Sequence, residues 1–195
     1  MTPYKRGNLL FHDAERLREA AHAVGGLQVI FAGKSHPKDH EGQRILKAIF
    51  EQMQAAEGLL RVVLIPDYSM WHGRLLTGGV DLWLNNPIRP LEASGTSGMK
   101  ASLQGVPNLS ILDGWWVEGC KDGVNGFAFG SRLPERDDSG DAEALYQTLI
   151  DRVAPIWAEP SRRLAMQKEA IKTAAEFTTE RMVGDYHDRY YGSAR

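Results

Sequence analysis

The sequence is poor in cysteine, in long apolar runs and in net charge, and each shortage excludes a class of protein. Cys120 is the only cysteine in 195 residues, so no disulfide can form within the chain, as is typical of a reducing compartment. No apolar run approaches the length of a membrane-spanning helix, and the first residues lack the apolar core of a signal peptide. A formal charge of −2 provides no attraction for nucleic acid or an anionic membrane. We therefore expect a cytoplasmic protein with no nucleic-acid and no membrane partner.

Residues that bind metal ions are present but not grouped. The six histidines are scattered along the chain. The two nearest in sequence, His36 and His40, lie on either side of Pro37, which disfavours the shared helical face that a pair of histidine ligands needs. We predict no metal site.

The sequence does contain a regular alternation of short apolar segments with amphipathic helices. The predicted strands are residues 27–32, 61–65, 80–84 and 106–112, and the predicted helices are residues 13–24, 39–57, 68–76 and one that begins near Ser97. This alternation predicts βαβ units and a parallel sheet within an α/β core of residues 1–130. Since ligands bind outside the carboxyl ends of such strands, the loops after Ile65, Leu84 and Leu112 should open on one edge.

The remainder of the chain has a different character. Residues 130–140 are polar and predict a mobile surface loop. Residues 141–195 predict C-terminal helices, broken near Pro160 and at Phe177-Thr178, with the last helix beginning at Thr179.

The most informative stretch is the small-residue loop that runs from Pro90 into the helix containing Lys100. Its glycines and serines let the backbone pass close to a ligand, and the first-turn N–H groups of the helix can face an anion. Such a loop can hold a phosphate and place one amine beside it, as a phosphate-bearing aldehyde requires. Because glycine and serine loops before helices are common, the local pattern alone favours a plain connection with a solvated lysine.

Several motifs, which occur in the order found in one protein family, favour a ligand-binding loop over a plain connection. They are Tyr4-Lys5-Arg6, Asn85-Asn86-Pro87, the run from Glu92 to Lys100, Asn108-Leu109-Ser110, the run from Leu112 to Trp116, and the run from Phe177 to Val183. Together they resemble the α-glucan phosphorylase family, the glycogen, starch and maltodextrin phosphorylases, and the short bacterial members most of all.

The resemblance implies the second domain of a GT-B glycosyltransferase, a Rossmann-like parallel sheet with flanking helices and a helical C-terminus. Family members are several times longer, so residues 1–195 are expected to be a C-terminal domain that is incomplete at its N-terminus. The implied activity is the reversible phosphorolysis of terminal α-1,4-glucosyl units to glucose 1-phosphate, with pyridoxal 5'-phosphate as cofactor. The implied partners are α-1,4-glucan, inorganic phosphate and the missing first domain. A homo-oligomer is also compatible with the resemblance, since the absence of the first domain leaves apolar surface of this domain exposed.

The resemblance also assigns roles to individual residues. Lys100 matches the lysine that forms the Schiff base with pyridoxal phosphate, and Lys5 matches a lysine that neutralises the substrate phosphate; both are catalytic candidates. The residues matched to the glucosyl unit are Glu92, Ala93, Ser94 and Gly95. Those matched to the cofactor are Tyr68, beside its ring, and Thr96 and Ser97, which form a phosphate cradle with Gly95.

Three neighbouring motifs carry structural alternatives. An ion pair that stabilises the fold suits Arg6 as well as a role at the phosphate does. Asp113-Gly114 is interpreted as loop geometry rather than chemistry. For Trp115-Trp116, packing in the core or at a domain interface is favoured over a platform for sugar.

Two other functions stay open on the sequence. A nucleotide-sugar transferase such as glycogen or starch synthase shares the GT-B domain and a glutamate before a helix, but lacks the Lys100 motif. A non-catalytic remnant that folds and self-associates is the other alternative, because half of an active site is expected to have little or no activity.

Overall fold

Helices and strands alternate along the chain in the computed structural model, which describes residues 2–133 and 135–192. The strands are β1 (Leu27–Ala32), β2 (Leu60–Ile65), β3 (Trp83–Asn85), β4 (Asn108–Ile111) and β5 (Gly126–Phe129). The helices are α1 (Ala14–Ala23), α2 (His40–Ala55), α3 (Met70–Gly79), α4 (Thr96–Leu103), α5 (Trp116–Gly119), α6 (Asp138–Thr148), α7 (Ala154–Trp157), α8 (Pro160–Ala175) and α9 (Thr179–Tyr186). The 3-10 turns are Pro3–Lys5 and Leu9–Phe11, and the π-helical turns are Leu149–Val153 and His187–Tyr191. The predicted α/β class with a helical C-terminus is confirmed.

Every strand pair is parallel, and the described strands are divided between two sheets. β1 pairs with β2, with Leu27 opposite Leu60. β4 lies between β3 and β5. Among the described residues, β1 and β3 therefore have one partner strand each. Their side chains are mostly half-buried, whereas all four residues of β4 are buried.

One hydrophobic core joins the two sheets. Many of its members come from the second 3-10 turn, α1, α6 and strands of both sheets: Leu9, Leu10, Leu17, Leu60, Val62, Leu109, Ile111, Phe127, Phe129, Leu145 and Tyr146. Apolar side chains at helical spacing place one face of α1 in this core. The Tyr146 hydroxyl donates to the carbonyl of Leu10 at 3.0 Å, so α6 also holds the N-terminal turns against the sheet.

Helix α3 runs through Gly78 and Gly79, where the sequence predicts that it ends. A Cβ on Gly78 would lie 2.3 Å from the Oε1 atom of Gln104, so glycine permits close packing between α3 and the end of α4. The Gln104 amide donates to Thr77 Oγ1 at 2.8 Å. This packing compensates for the low helix propensity of glycine, and β3 begins at Trp83 rather than at Val80.

Strand β5 is a part of the sheet that the sequence does not predict. It has four residues and begins with Gly126, at φ +157°. A Cβ on Gly126 would lie 2.4 Å from the carbonyl oxygen of Asn108 and 2.9 Å from the indole of Trp116. The strand depends on a glycine that allows the neighbouring strand and a tryptophan to approach.

The C-terminal half is helical as predicted, with different boundaries. Helix α6 begins at Asp138, after Asp137, whose carboxylate accepts the Gly140 N–H at 2.8 Å, so the last residues of the predicted polar loop are helical. A π-helical turn, in which the Ala154 N–H donates to the Leu149 carbonyl, precedes Pro155 at the start of α7, and Pro155 has no N–H to donate. Helix α9 begins at Thr179 as predicted, and Thr178 caps it by accepting from the Arg181 N–H at 3.2 Å. Residue 134 of the predicted loop and residues 193–195 of the predicted helical segment lie outside the described residues.

Candidate functional site

The loop between β3 and α4 ends in a helix N-terminus that no side chain caps. Gly95 occupies the cap position in the left-handed region, with φ +83° and ψ +46°, a conformation that suits glycine. In contrast, Asp13 and Asp39 accept N–H groups of the first turns of α1 and α2. The Gly98 N–H donates to the Gly95 carbonyl at 3.0 Å, but the Thr96 and Ser97 N–H groups have no partner among the described residues. These two groups remain available to an anion, which the helix dipole also attracts.

Lys100 lies on the exposed side of α4. The opposite side is held by the buried Asn108, whose amide donates to the Gly98 carbonyl at 3.1 Å and to Ser102 Oγ at 2.8 Å. Since Lys100 is two residues from each of these, it projects away from the sheet. Its ammonium has no hydrogen-bond or ion-pair partner among the described residues, so an amine is accessible on the helix that begins at Gly95.

Glu92 is a buried carboxylate in the same loop, with 7 % of its surface exposed. It forms an ion pair with the Lys5 ammonium, and the Tyr4 hydroxyl lies 3.5 Å from its Oε1 atom. Partial burial lowers the pKa of Lys5, but the hydrogen bond and charge of Glu92 outweigh that effect and raise this pKa above its usual value of 10.5. The structure thus brings together two of the predicted site residues and keeps Lys5 charged.

The N-terminal turn places Lys5 beside Glu92 because Arg6 anchors it to the segment after β3. Arg6 is 3 % exposed and donates to the carbonyls of Asn86 and Pro87, each at 2.9 Å. Its guanidinium also pairs with Asp138 at 3.0 Å and Asp141 at 2.8 Å. Arg6 therefore stabilises the fold, and of its two predicted roles the structure supports the ion pair.

The loop after β4 holds the backbone of the Glu92 segment through hydrogen bonds. Asp113 is buried and accepts the Glu92 N–H at 2.9 Å, and the Trp115 N–H donates to the Ser94 carbonyl at 2.8 Å. These bonds confirm that Asp113 serves loop geometry. Trp115 and Trp116 are both buried, so their predicted role in packing is also confirmed.

Close packing at two glycines completes this support. A Cβ on Gly98 would lie 2.4 Å from Asn108 Oδ1 and 2.9 Å from the Trp115 indole nitrogen. A Cβ on Gly114 would lie 2.6 Å from the Ser94 carbonyl oxygen. Neither position has room for a larger residue, because the atoms that it would meet are held by other contacts.

The remaining predicted residues are less constrained. Ala93, Ser94 and Thr96 are exposed and Ser97 is half-buried; the hydroxyls of Thr96 and Ser97 have no hydrogen-bond partner in the described part of the chain. Tyr68 is 40 % exposed at the start of α3, where its hydroxyl lies against Gly73. Within the described residues it has no hydrogen bond to the Glu92–Lys100 loop.

Sequence reasoning assigned no role to Asn108, which holds α4 in place. The available signal was an asparagine within the mostly apolar segment of residues 106–112, because a buried amide must find hydrogen-bond partners. Across residues 2–133 and 135–192, no group of three or more histidine, cysteine or acidic side chains is arranged to hold a metal ion. No helix in these same ranges has the length and apolar character to cross a membrane.

The chain is similar in sequence to a known protein family. The sequence profile described as carbohydrate phosphorylase matches residues 9–149. The chain belongs to the carbohydrate phosphorylase family. This confirms the resemblance drawn from the motifs, and it favours a phosphorylase over a nucleotide-sugar transferase.

Individual phosphorylases match nearly the whole chain. It is 46 % identical to the glycogen phosphorylase of Aquifex aeolicus, covering 98 % of this chain and 29 % of that protein. It is 44 % identical to the maltodextrin phosphorylase of Thermococcus litoralis, covering 98 % of this chain and 24 % of that protein. It is 40 % identical to a glycogen phosphorylase of Mycobacterium tuberculosis, with 98 % and 23 % covered. The chain thus spans about a quarter of the length of these phosphorylases.

Proposed function

We propose that this chain is the cofactor-bearing domain of an α-glucan phosphorylase that uses pyridoxal 5'-phosphate. The reaction is the reversible transfer of a terminal α-1,4-glucosyl unit to inorganic phosphate, which gives glucose 1-phosphate. The observation that carries the proposal is one loop in which a buried Glu92, paired with Lys5, leads into an uncapped helix that presents Lys100. The names of the relatives, glycogen and maltodextrin phosphorylase, support the substrate class.

The residues of this loop fit pyridoxal phosphate. The Lys100 amine is exposed and can hold the aldehyde, while the N–H groups and hydroxyls of Thr96 and Ser97 can hold the phosphate. Gly95 and Gly98 leave the backbone open where a Cβ would crowd Trp115 or Asn108. When bound, the cofactor supplies a phosphate group that helps to move a proton to and from the substrate phosphate.

Glu92 and Lys5 have complementary roles in this proposal. The Glu92 carboxylate accepts hydrogen bonds from glucosyl hydroxyls, which orients the sugar. The charged Lys5 ammonium attracts the substrate phosphate and stabilises the charge that develops on it. Because these two groups already lie together, the sugar and the phosphate are bound side by side.

We also propose that the domain is incomplete and faces a second domain. In the doubly wound α/β fold, the first strand lies between the second and the fourth. If β1 and β2 are the second and third strands and β3 is the fourth, the break between β1 and β3 corresponds to that first strand. The half-buried side chains of β1 and β3 support this assignment, as does the greater length of the relatives.

Retention of the cofactor tests the proposal. The purified chain is incubated with pyridoxal phosphate and desalted, and the cofactor absorbance that the protein retains is measured. We expect retention by the wild type and by Lys47→Ala, a control at an exposed lysine of α2, and loss in Lys100→Ala. Equal retention by all three proteins, or none by the wild type, would contradict the proposal.

A further inference from the structure

Asp113 joins the two loops that follow β3 and β4. One carboxylate oxygen accepts the Glu92 N–H at 2.9 Å, and the other accepts the Gly114 N–H at 2.9 Å. The side chain is 6 % exposed, so little water is available to replace either bond. Both oxygens of a buried carboxylate are therefore committed to backbone donors, one in each loop.

A third bond makes this connection a clamp. The Trp115 N–H donates to the Ser94 carbonyl at 2.8 Å, so residues 113–115 hold the backbone on both sides of Ala93. Gly114 is required between them, because a Cβ there would lie 2.6 Å from the Ser94 carbonyl oxygen and 3.1 Å from that of Glu92. The segment from Glu92 to Ser94 is thus fixed at its N–H and at its carbonyl.

This clamp determines where the Glu92 side chain lies. The carboxylate of Glu92 is directed to Lys5 and Tyr4, while its N–H is held by Asp113. A rotation of the backbone at Glu92 would move the carboxylate away from Lys5. Asparagine at position 113 has nearly the same shape but only one acceptor oxygen, so its amide group would face one of the two N–H donors.

We propose that Asp113 is a positioning residue for the glucosyl-binding segment, holding Glu92 so that its carboxylate stays beside Lys5. The inference rests on the proposed function, since the segment from Glu92 to Ser94 is there assigned to the sugar. It goes beyond that function by naming the group outside the loop on which sugar recognition depends.

The first measurement is amide hydrogen exchange in the 195-residue chain, which needs no ligand. We compare the wild type with Asp113→Asn and with Asp39→Asn, which alters a carboxylate that accepts the Gly42 N–H at the start of α2. In Asp113→Asn one acceptor oxygen remains, so at least one of the Glu92 and Gly114 amides should exchange about tenfold or more faster than in the wild type, beyond any change at core amides such as Leu109. Asp39→Asn should leave both amides unchanged.

The second measurement separates the positioning role from the proposed function. Affinities for glucose 1-phosphate and for inorganic phosphate are measured by NMR titration of the same three proteins. Asp113→Asn should weaken glucose 1-phosphate binding about tenfold and change phosphate binding by less than about twofold. Equal losses for both ligands, or unchanged exchange at both the Glu92 and the Gly114 amide, would overturn the inference.

A third result concerns the sugar assignment itself. If the wild type binds glucose 1-phosphate no more tightly than phosphate, the assignment of Glu92 to the sugar is wrong, and the positioning role in sugar binding is overturned with it. Faster exchange at Glu92 in Asp113→Asn would then show that the clamp exists but serves the fold only.

Discussion

The Lys5 ammonium donates to the buried carboxylate of Glu92 across 87 positions of sequence. The two residues meet because Arg6 anchors the N-terminal turn to the segment after β3, while Asp113 holds the backbone of Glu92. A basic and an acidic group, predicted separately to contact phosphate and sugar, thus form one pair at the start of the loop that leads to Lys100.

Replacement of Glu92 should lower the pKa of Lys5. In Glu92→Gln the negative charge is removed, so partial burial of Lys5, which disfavours the ammonium form, is no longer outweighed. The pKa is measured by NMR titration of the lysine side chains, with Lys5 assigned through Lys5→Gln. Glu159→Gln, which removes an exposed partner of Arg162, should leave it unchanged. A Lys5 pKa that stays the same in Glu92→Gln would contradict this account.

The same pair predicts how stability changes with pH. Because the pKa of Lys5 is raised in the folded state, the pair's contribution is complete below the unfolded-state pKa of about 10.5 and is lost as the pH rises through the folded-state value. The difference in unfolding free energy between the wild type and Lys5→Gln should be constant from neutral pH to about pH 10 and then fall. Denaturant titrations at a series of pH values measure it. A difference in unfolding free energy that grows at alkaline pH would contradict a raised pKa of Lys5 in the folded state.

Removal of Arg6 should destabilise the chain strongly. Arg6→Met leaves Asp141 and two backbone carbonyls without their buried partner, and breaking a buried pair in this way costs about 3–5 kcal/mol. The free energy of unfolding is measured in urea, with Arg162→Met at an exposed ion pair as the control. Similar losses in both variants would indicate that burial of Arg6 is not the cause.

A methyl group at Gly98 should damage both stability and cofactor retention. The Cβ of Gly98→Ala would meet Asn108 Oδ1 and the Trp115 indole, and overpacking of this kind costs about 1–3 kcal/mol. We expect a lower urea midpoint and less pyridoxal phosphate retained after desalting. Gly184→Ala is the control, because nothing lies within 4 Å of its Cβ; alanine there should stabilise α9 slightly. Full cofactor retention by Gly98→Ala would weaken the case for the close-packed cradle.

The isolated chain should catalyse little or no phosphorolysis, even when loaded with cofactor. It spans about a quarter of the length of its relatives, and the proposed site needs groups from a facing domain to orient the sugar and the phosphate for reaction. The assay is release of glucose 1-phosphate from maltodextrin and inorganic phosphate, with a full-length phosphorylase as the positive control. Turnover by the chain alone at a rate near that of the control would refute this expectation.

Much of the fold is predictable because it depends on local patterns. The apolar segments at β1, β2 and β4 and the helices around them follow from periodicity and capping residues, as Asp39 before α2 illustrates. Strand β5 is not predictable in this way, because Gly126 is unfavourable in a strand until Trp116 and β4 pack against it. The length of α3 likewise depends on Gln104, which directly follows α4.

The candidate site likewise has some features that the sequence predicts and others that depend on tertiary contacts. The Glu92–Lys100 motif and the family that it indicates are evident from the sequence, and the family is confirmed. The sequence gives Arg6 two equal interpretations and assigns no role to Asn108, since both depend on burial and on partners far along the chain. Only the folded chain distinguishes an arginine that is paired with Asp141 from one that is available to bind phosphate.

By itself, the sequence determined the family, the α/β class and the loop that carries Lys100, because these follow from residue types at short spacing. The tertiary structure decided which distant groups meet: Lys5 with Glu92, Arg6 with Asp141, and Asp113 with the Glu92 N–H. The physical reason is that parallel strands bring loops together at their carboxyl ends, and a charge or polar group in those loops acquires its partner and its burial only there.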